Sequence, residues 1–169
     1  MTDIYKNILG IAKKLQDEAD EQLLPPPEVT PTQKHILLPQ NLFKETRGYL
    51  ENISFQINMA YESTCYDACA VMIRRLIETL IIESFEHYNI ADKIKNSNGD
   101  FLQLDDQITR TLSESAWNLT RNTKKGLKQL KKIGDLSAHC RRFNARRSDI
   151  DSAHPQMANL PDIGVARKI

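Results

Sequence analysis

Helix-breaking residues are scarce in this sequence. There are six glycines and seven prolines in 169 residues, and five of the prolines crowd into the stretch from Pro25 to Pro39. That scarcity excludes collagen-like and low-complexity chains. Cysteine is also sparse: Cys65, Cys69 and Cys140 are too few for a disulfide scaffold, and their odd number argues for reduced thiols. Aromatic residues make up only 7% of the chain. No apolar run approaches the ~18 to 20 residues of a membrane-spanning helix. A dominant charge sign is missing as well. Lys and Arg number 23 against 22 Asp and Glu, so the net charge is +1 and a wholly basic or acidic tail protein is excluded.

What is present is a chain that is 40% apolar and 27% charged, with a mean hydropathy of -0.49 and enough length for one hydrophobic core. The first residues, MTDIYKNILGIAKKLQDEADEQ, have neither the basic start nor the apolar stretch of a secretory signal. With the cysteine count, this leads us to expect a cytoplasmic protein. No cofactor, metal or membrane partner is expected.

Apolar periodicity predicts an all-α fold. Ile4, Ile8, Ile11 and Leu15 form one stripe, giving an amphipathic helix within residues 1–24. The proline-rich connector of residues 25–40 cannot be helical. Its Ile36, Leu37 and Leu38 need cover, from their own domain or a sister subunit. A helical domain is expected over 41–151 and an irregular tail over 152–169. Within that domain a helix is predicted from Asn41, as N-cap, to Tyr61, with Leu42, Thr46, Tyr49, Leu50, Ile53, Ile57 and Ala60 on one face. Residues 64–88 are apolar nearly all round and predict a central helix that buries both Cys65 and Cys69. Asn98-Gly99 marks a turn. Shorter helices are predicted over Leu104 to Leu112, where Asp105 and Asp106 suit a helix start, and from Thr120 to at least Gly134. Trp117 is expected as a core anchor, and His35, His87 and His154 are given structural roles. Pro155 and Pro161 argue against a stable helix beyond Ala153 of more than a turn or two.

The charge is unevenly placed. Between Arg121 and Arg147 there are ten basic residues and one acid, Asp135, so this window carries +9 and the remainder -8. Such a block suits phosphate, because neutralising phosphates releases counterions. Lys131, Lys132, Arg141, Arg142, Arg146 and Arg147 are the candidate nucleic-acid contacts. The alternative is a solvated face balanced by acids of the fold or of a partner. On the central helix, Asp67, Arg74 and Glu78 fall within about 40 degrees of one another. Charges on a helix built for burial require partners. They either fix helix register or border a polar site shared with His139 and Asp135.

Two segments together carry a resemblance. The run CYDACAVMIRRLIETLIIE (Cys65 to Glu83) and the downstream LKKIGDLSAHCRRFNARRSDID (Leu130 to Asp151) resemble domain-of-unknown-function family 4145, of or near the HEPN superfamily of helical domains. The resemblance covers about residues 40–151 and implies a helical bundle, a homodimer, and a setting in phage defence, restriction, toxin-antitoxin or mobile-element systems. A protein partner from a defence operon is implied too. Active members are metal-independent ribonucleases that pair an Arg with a His shortly after it. The His exchanges protons with a ribose hydroxyl or leaving oxygen, and the Arg stabilises the charged phosphate. Here His139 takes the histidine position and Asp135 the polar one before it. The arginine position falls on Gly134 at one spacing and on Lys132 at another, with Arg74, Arg141 or Arg142 as substitutes in space. His139, Asp135, Arg74 and Glu78 are thus the candidate catalytic residues. The expected function is a dimeric nucleic-acid-binding module, RNA favoured, without efficient catalysis. The alternatives are an active endoribonuclease using His139 and a protein-interaction subunit. No Walker-type loop, Gly-x-Gly-x-x-Gly, His-Glu-x-x-His or Gly-x-Ser-x-Gly motif points elsewhere.

Overall fold

The computed structural model describes residues 36–43 and 47–157, together with helical positions at Gly10, Ile11, Lys13 and Lys14. The chain divides into two units, Met1–Lys34 and His35–Ile169. Apart from those four positions, the N-terminal helix and most of the proline-rich connector lie outside the described residues, as do 158–169. The described residues of the second unit form five helices, in chain order α1 (Gly48–Glu62), α2 (Tyr66–His87), α3 (Leu104–Ser113), α4 (Arg121–His139) and α5 (Arg147–Met157). Single 3-10 turns occupy Gln40–Leu42 and Ala91–Ile94, and the described residues contain no strand beyond an isolated Lys95–Phe101 bridge. The fold is all-α. No helix among the described residues is long and apolar enough to cross a membrane.

The central helix is α2, and it packs against each of the other four. Cys69, Ile73, Leu76, Ile77, Leu80, Ile81 and Phe85 are all buried, so its apolar surface is contacted from several directions. Burial pushes the Cys69 thiol up to about 12, which makes it inert. Cys65 departs from expectation: it is exposed at the N-cap of α2, outside the apolar face. Val71 and Ala68 are likewise exposed. Trp117 anchors the core as expected. Its ring packs edge-on against Phe85 and Tyr88, and its Nε1–H donates to the Thr111 carbonyl at 3.1 Å.

With so little glycine available, other residues close the helix ends. Thr64 and Asn89 follow α1 and α2 with φ of 58 and 56 degrees. In each case the next amide, Cys65 or Ile90, reaches back to the Ala60 or Phe85 carbonyl at 2.9 Å. Asn tolerates this left-handed geometry, whereas a β-branched Thr is strained there. Gly99 takes the positive φ of the expected turn, at 89 degrees.

Two helix boundaries correct the sequence reading. The helix expected from Asn41 begins at Gly48, because Arg47 is extended and residues 40–42 form a separate turn. Leu37 and Leu38 pack on their own domain, where the Asn58 side chain accepts from the Leu38 amide (2.9 Å) and donates to its carbonyl (2.8 Å). The second correction is α5, which runs through Pro155 to Met157, where an irregular tail was expected from residue 152. Its start is stabilised by the Asp149 carboxylate, which accepts from the Arg146 amide at 2.8 Å. Ile150 is buried, and the Tyr61 hydroxyl donates to Asp151 and accepts from Arg147 Nε.

Candidate nucleic-acid interface

Helix α4 has two opposed faces. At about 100 degrees per residue, Thr123, Gly126, Leu127, Leu130 and Gly134 share one arc, and all five are buried. Thr120 caps the helix as expected, accepting from the Thr123 amide at 3.2 Å. The helix does not stop at Gly134. A Cβ built there would lie 2.5 Å from Arg74 Cβ and 3.0 Å from the Ala70 carbonyl oxygen, so α2 and α4 cross with no room for a side chain.

On the opposite arc stand Arg121, Lys124, Lys125, Lys128 and Lys132, all exposed, with His139 in line at the helix end. Beyond His139, the loop to Arg146 adds exposed Arg141, Arg142 and Arg146. That loop is tied down where the Ala145 amide donates to Asp67 Oδ1 at 2.9 Å. None of these eight Lys and Arg side chains forms an ion pair with the described residues. Of the expected contacts, Lys132, Arg141, Arg142 and Arg146 thus stand free among the described residues. Lys131 and Arg147 are occupied internally.

Between the stripe and α3 lies a cleft of about 700 Å3, with Arg74 of α2 among its lining residues and Leu104, Ile108 and Leu136 supplying apolar wall. A chain of charges runs through it and joins three helices. Glu78 reaches Arg74 Nη1 (3.5 Å), Arg74 Nε donates to Asp135 (2.7 Å), and Lys131 Nζ bridges Asp135 (2.5 Å) and Asp105 (3.3 Å). Arg74, Lys131 and Asp135 keep only 26%, 20% and 31% of their side-chain surface exposed. Burial alone would raise the Asp135 carboxyl, but the hydrogen bonds from Lys131 and Arg74 outweigh it and hold it below the usual carboxylate range. The Lys131 ammonium is raised chiefly by its hydrogen bond to Asp135.

Of the candidate catalytic set, Arg74, Asp135 and His139 line one cleft, and Glu78 is joined to it through Arg74. Asp135, Arg74 and Glu78 are engaged with one another or with Lys131. His139 lies at the cleft edge beside Cys140, exposed and without a hydrogen-bond partner among the described residues. Asp67, expected on the same stripe as Arg74, serves the 141–146 loop instead. The acids Asp105 and Asp106 do sit in the first turn of α3, and Asp105 also pairs with Lys131. No group of three His, Cys, Asp or Glu residues able to hold a metal occurs among the described residues.

Two clusters had no sequence signal. Glu83, buried in α2, accepts from the Tyr49 hydroxyl and from Arg47 Nη1 (3.2 Å). Burial raises its carboxyl and Arg47 only partly offsets that. The other cluster is Tyr61 with Arg147 and Asp151, where the Arg147 guanidinium also lies over the Tyr61 ring. These partners are far apart in the sequence, so no spacing rule could have found them.

Compared with protein-family models, with curated proteins and with solved structures, the chain matches none.

Proposed function

We propose that this is a helical nucleic-acid-binding module, RNA favoured, that works as a dimer in a defence or mobile-element setting without efficient catalysis. The observation that carries the reading is the set of eight exposed Lys and Arg side chains on α4 and its following loop. They are left without ion-pair partners among the described residues in a chain that is otherwise net acidic. Cations kept apart from the protein's own carboxylates are available to phosphate, and each phosphate neutralised releases counterions. Arginine adds a bidentate fork to four of those positions.

The inactive half of the reading rests on the cleft. An arginine cannot stand at position 134, since α2 fills the space. Arg74 is held by Asp135 and Glu78. Asp135, held below the usual carboxylate range by two cations, is a weak proton acceptor. His139 is then a lone proton-exchanging group with no fixed phosphate clamp beside it.

Incubating the protein with labelled structured RNA in EDTA, beside a His139→Ala variant, tests this. The expected result is binding by both proteins that weakens steeply with salt, and cleavage by neither. Cleavage by the wild type alone would make His139 a catalyst and overturn the reading. Absence of both binding and cleavage would assign the basic surface to a protein partner.

A further inference from the structure

The free cations form a ridge along the outer arc of α4, whose Lys128 and Lys132 also edge the cleft, and what accompanies them bears on which nucleic acid fits. Proteins that hold single strands without sequence preference combine a cationic groove with aromatic platforms on which successive bases stack. Here five of the free cations stand on the outward arc of α4 and three on the loop that follows it. Arg121 and Lys132 are about 16 Å apart along the helix axis at ~1.5 Å per residue.

No exposed Phe, Tyr or Trp lies on α4 or on the loop that follows it. The exposed aromatics with large apolar rings, Tyr49, Phe55, Tyr88 and Phe101, all precede α4. Trp117 is buried, Phe143 is half-buried, and the sequence after Phe143 contains no aromatic residue at all. The cleft beside the ridge does not replace a stacking site, because no Phe, Tyr or Trp lines it.

We infer that the ligand of this ridge is the paired phosphate backbone of a nucleic-acid duplex, lying along α4 and the Arg141–Arg146 loop and read through charge and shape, not bases. The inference rests on the proposed nucleic-acid function and names its substrate class. A duplex carries one charge per ~1.7 Å of axis, enough to serve a rigid row of cations with no base unstacked. The tie between Asp67 and Ala145 holds the arginine loop where it extends the row.

Fluorescence anisotropy with end-labelled duplex RNA, duplex DNA and single strands of matched length, between about 50 and 200 mM salt, decides it. Both duplexes should bind at least tenfold more tightly than either strand, with little dependence on base sequence. Lys128→Gln and Lys132→Gln, both exposed, should each weaken duplex binding roughly tenfold at 0.1 M salt and lower the slope of log K against log salt by about 0.9. Lys95→Gln, far along the chain on the α2–α3 connection, should change neither. A single strand bound as tightly as the duplex, or a Lys128→Gln/Lys132→Gln protein with unchanged slope, overturns the inference while leaving nucleic-acid binding standing. No salt-dependent binding to any of the probes overturns the nucleic-acid reading itself. A preference for RNA over DNA duplex identifies A-form geometry and the 2'-hydroxyl as part of what is read.

Discussion

Lys131 and Lys132 are neighbours in sequence with the same side chain and opposite fates. Lys131 turns toward α3 and is taken up by Asp135 and Asp105, whereas Lys132, about 100 degrees round the helix, faces outward with no ion-pair partner among the described residues. The same division runs along the whole of α4. One side of the helix holds three others in register, and the other side is left with charge that the fold does not use. Net charge over a window therefore overstates the free surface. It counts Lys131 and Arg147, which the fold consumes, equally with Lys132 and Arg142, which it leaves out.

The sharpest way to break this contrast is at the inner face. Ala in place of Gly normally adds about 1 kcal/mol in an exposed helix interior. At Gly134 the sign should reverse, because the added methyl meets the Arg74 side chain and the Ala70 carbonyl. Gly134→Ala is expected to cost about 1 to 3 kcal/mol in urea unfolding. A stabilised variant would show that α2 and α4 do not cross so closely.

Next in size is the charge chain. Asp135→Asn leaves Arg74 and Lys131 half-buried beside a neutral amide and should cost about 1 kcal/mol at neutral pH. Its pH signature is more telling. The Asp135 carboxyl is depressed in the fold, so its stabilisation is present above its unfolded value near ~4 and is lost as pH falls through the lower folded value. Glu83 has the opposite sign. Its carboxyl is raised by burial, so the folded state takes up a proton more readily and gains stability as pH falls from its folded value to its unfolded one. Unfolding followed from pH 6 to pH 3 should flatten in Asp135→Asn and steepen in Glu83→Gln.

How much of this could be read from sequence depended on what kind of interaction held each part. Helices α2, α3 and α4 rest on apolar period and, for α4, on a Thr cap, and both are local signals. The period places the start of α1 too early because Leu42 and Thr46 continue it by chance, while Arg47 after them is extended and the helix begins only at Gly48. Helix α5 was missed because Pro155 and Pro161 stand out, while what holds the segment is one buried Ile150 and a polar tie to Tyr61 about 90 residues earlier. Cys65 and Cys69 look alike in a helical wheel, yet only Cys69 lies beyond the first turn, where neighbours cover it. At the site, the basic block was visible as composition. Which of its members the fold consumes is not visible there, since Asp105 and Tyr61, which take up Lys131 and Arg147, come from other helices.

A smaller effect is expected at Thr64, away from the interface. Its φ of 58 degrees suits glycine and strains a β-branched residue. Thr64→Gly should raise stability by about 0.5 to 1 kcal/mol after the entropy cost of glycine in the unfolded chain. Thermal unfolding would show the rise, and a fall would mean that the exposed Thr side chain makes a contact worth more than the strain.

The smallest stability change should come from the outer face, and it returns to the two neighbouring lysines. Lys131→Gln removes the cation between Asp135 and Asp105, leaving Asp135 to Arg74 alone, and should lower stability by about 0.5 to 1 kcal/mol. Lys132→Gln removes a charge with no partner among the described residues and should shift stability by less than about 0.5 kcal/mol in either direction. It should even be slightly favourable, since Lys128 and Lys132 are like charges one turn apart. In duplex binding the order should invert, with Lys132→Gln the more damaging of the two. A protein in which both substitutions move stability and binding together would have no separation between its structural and its available cations. An inverted order places the fold's needs on one side of α4 and the ligand's on the other.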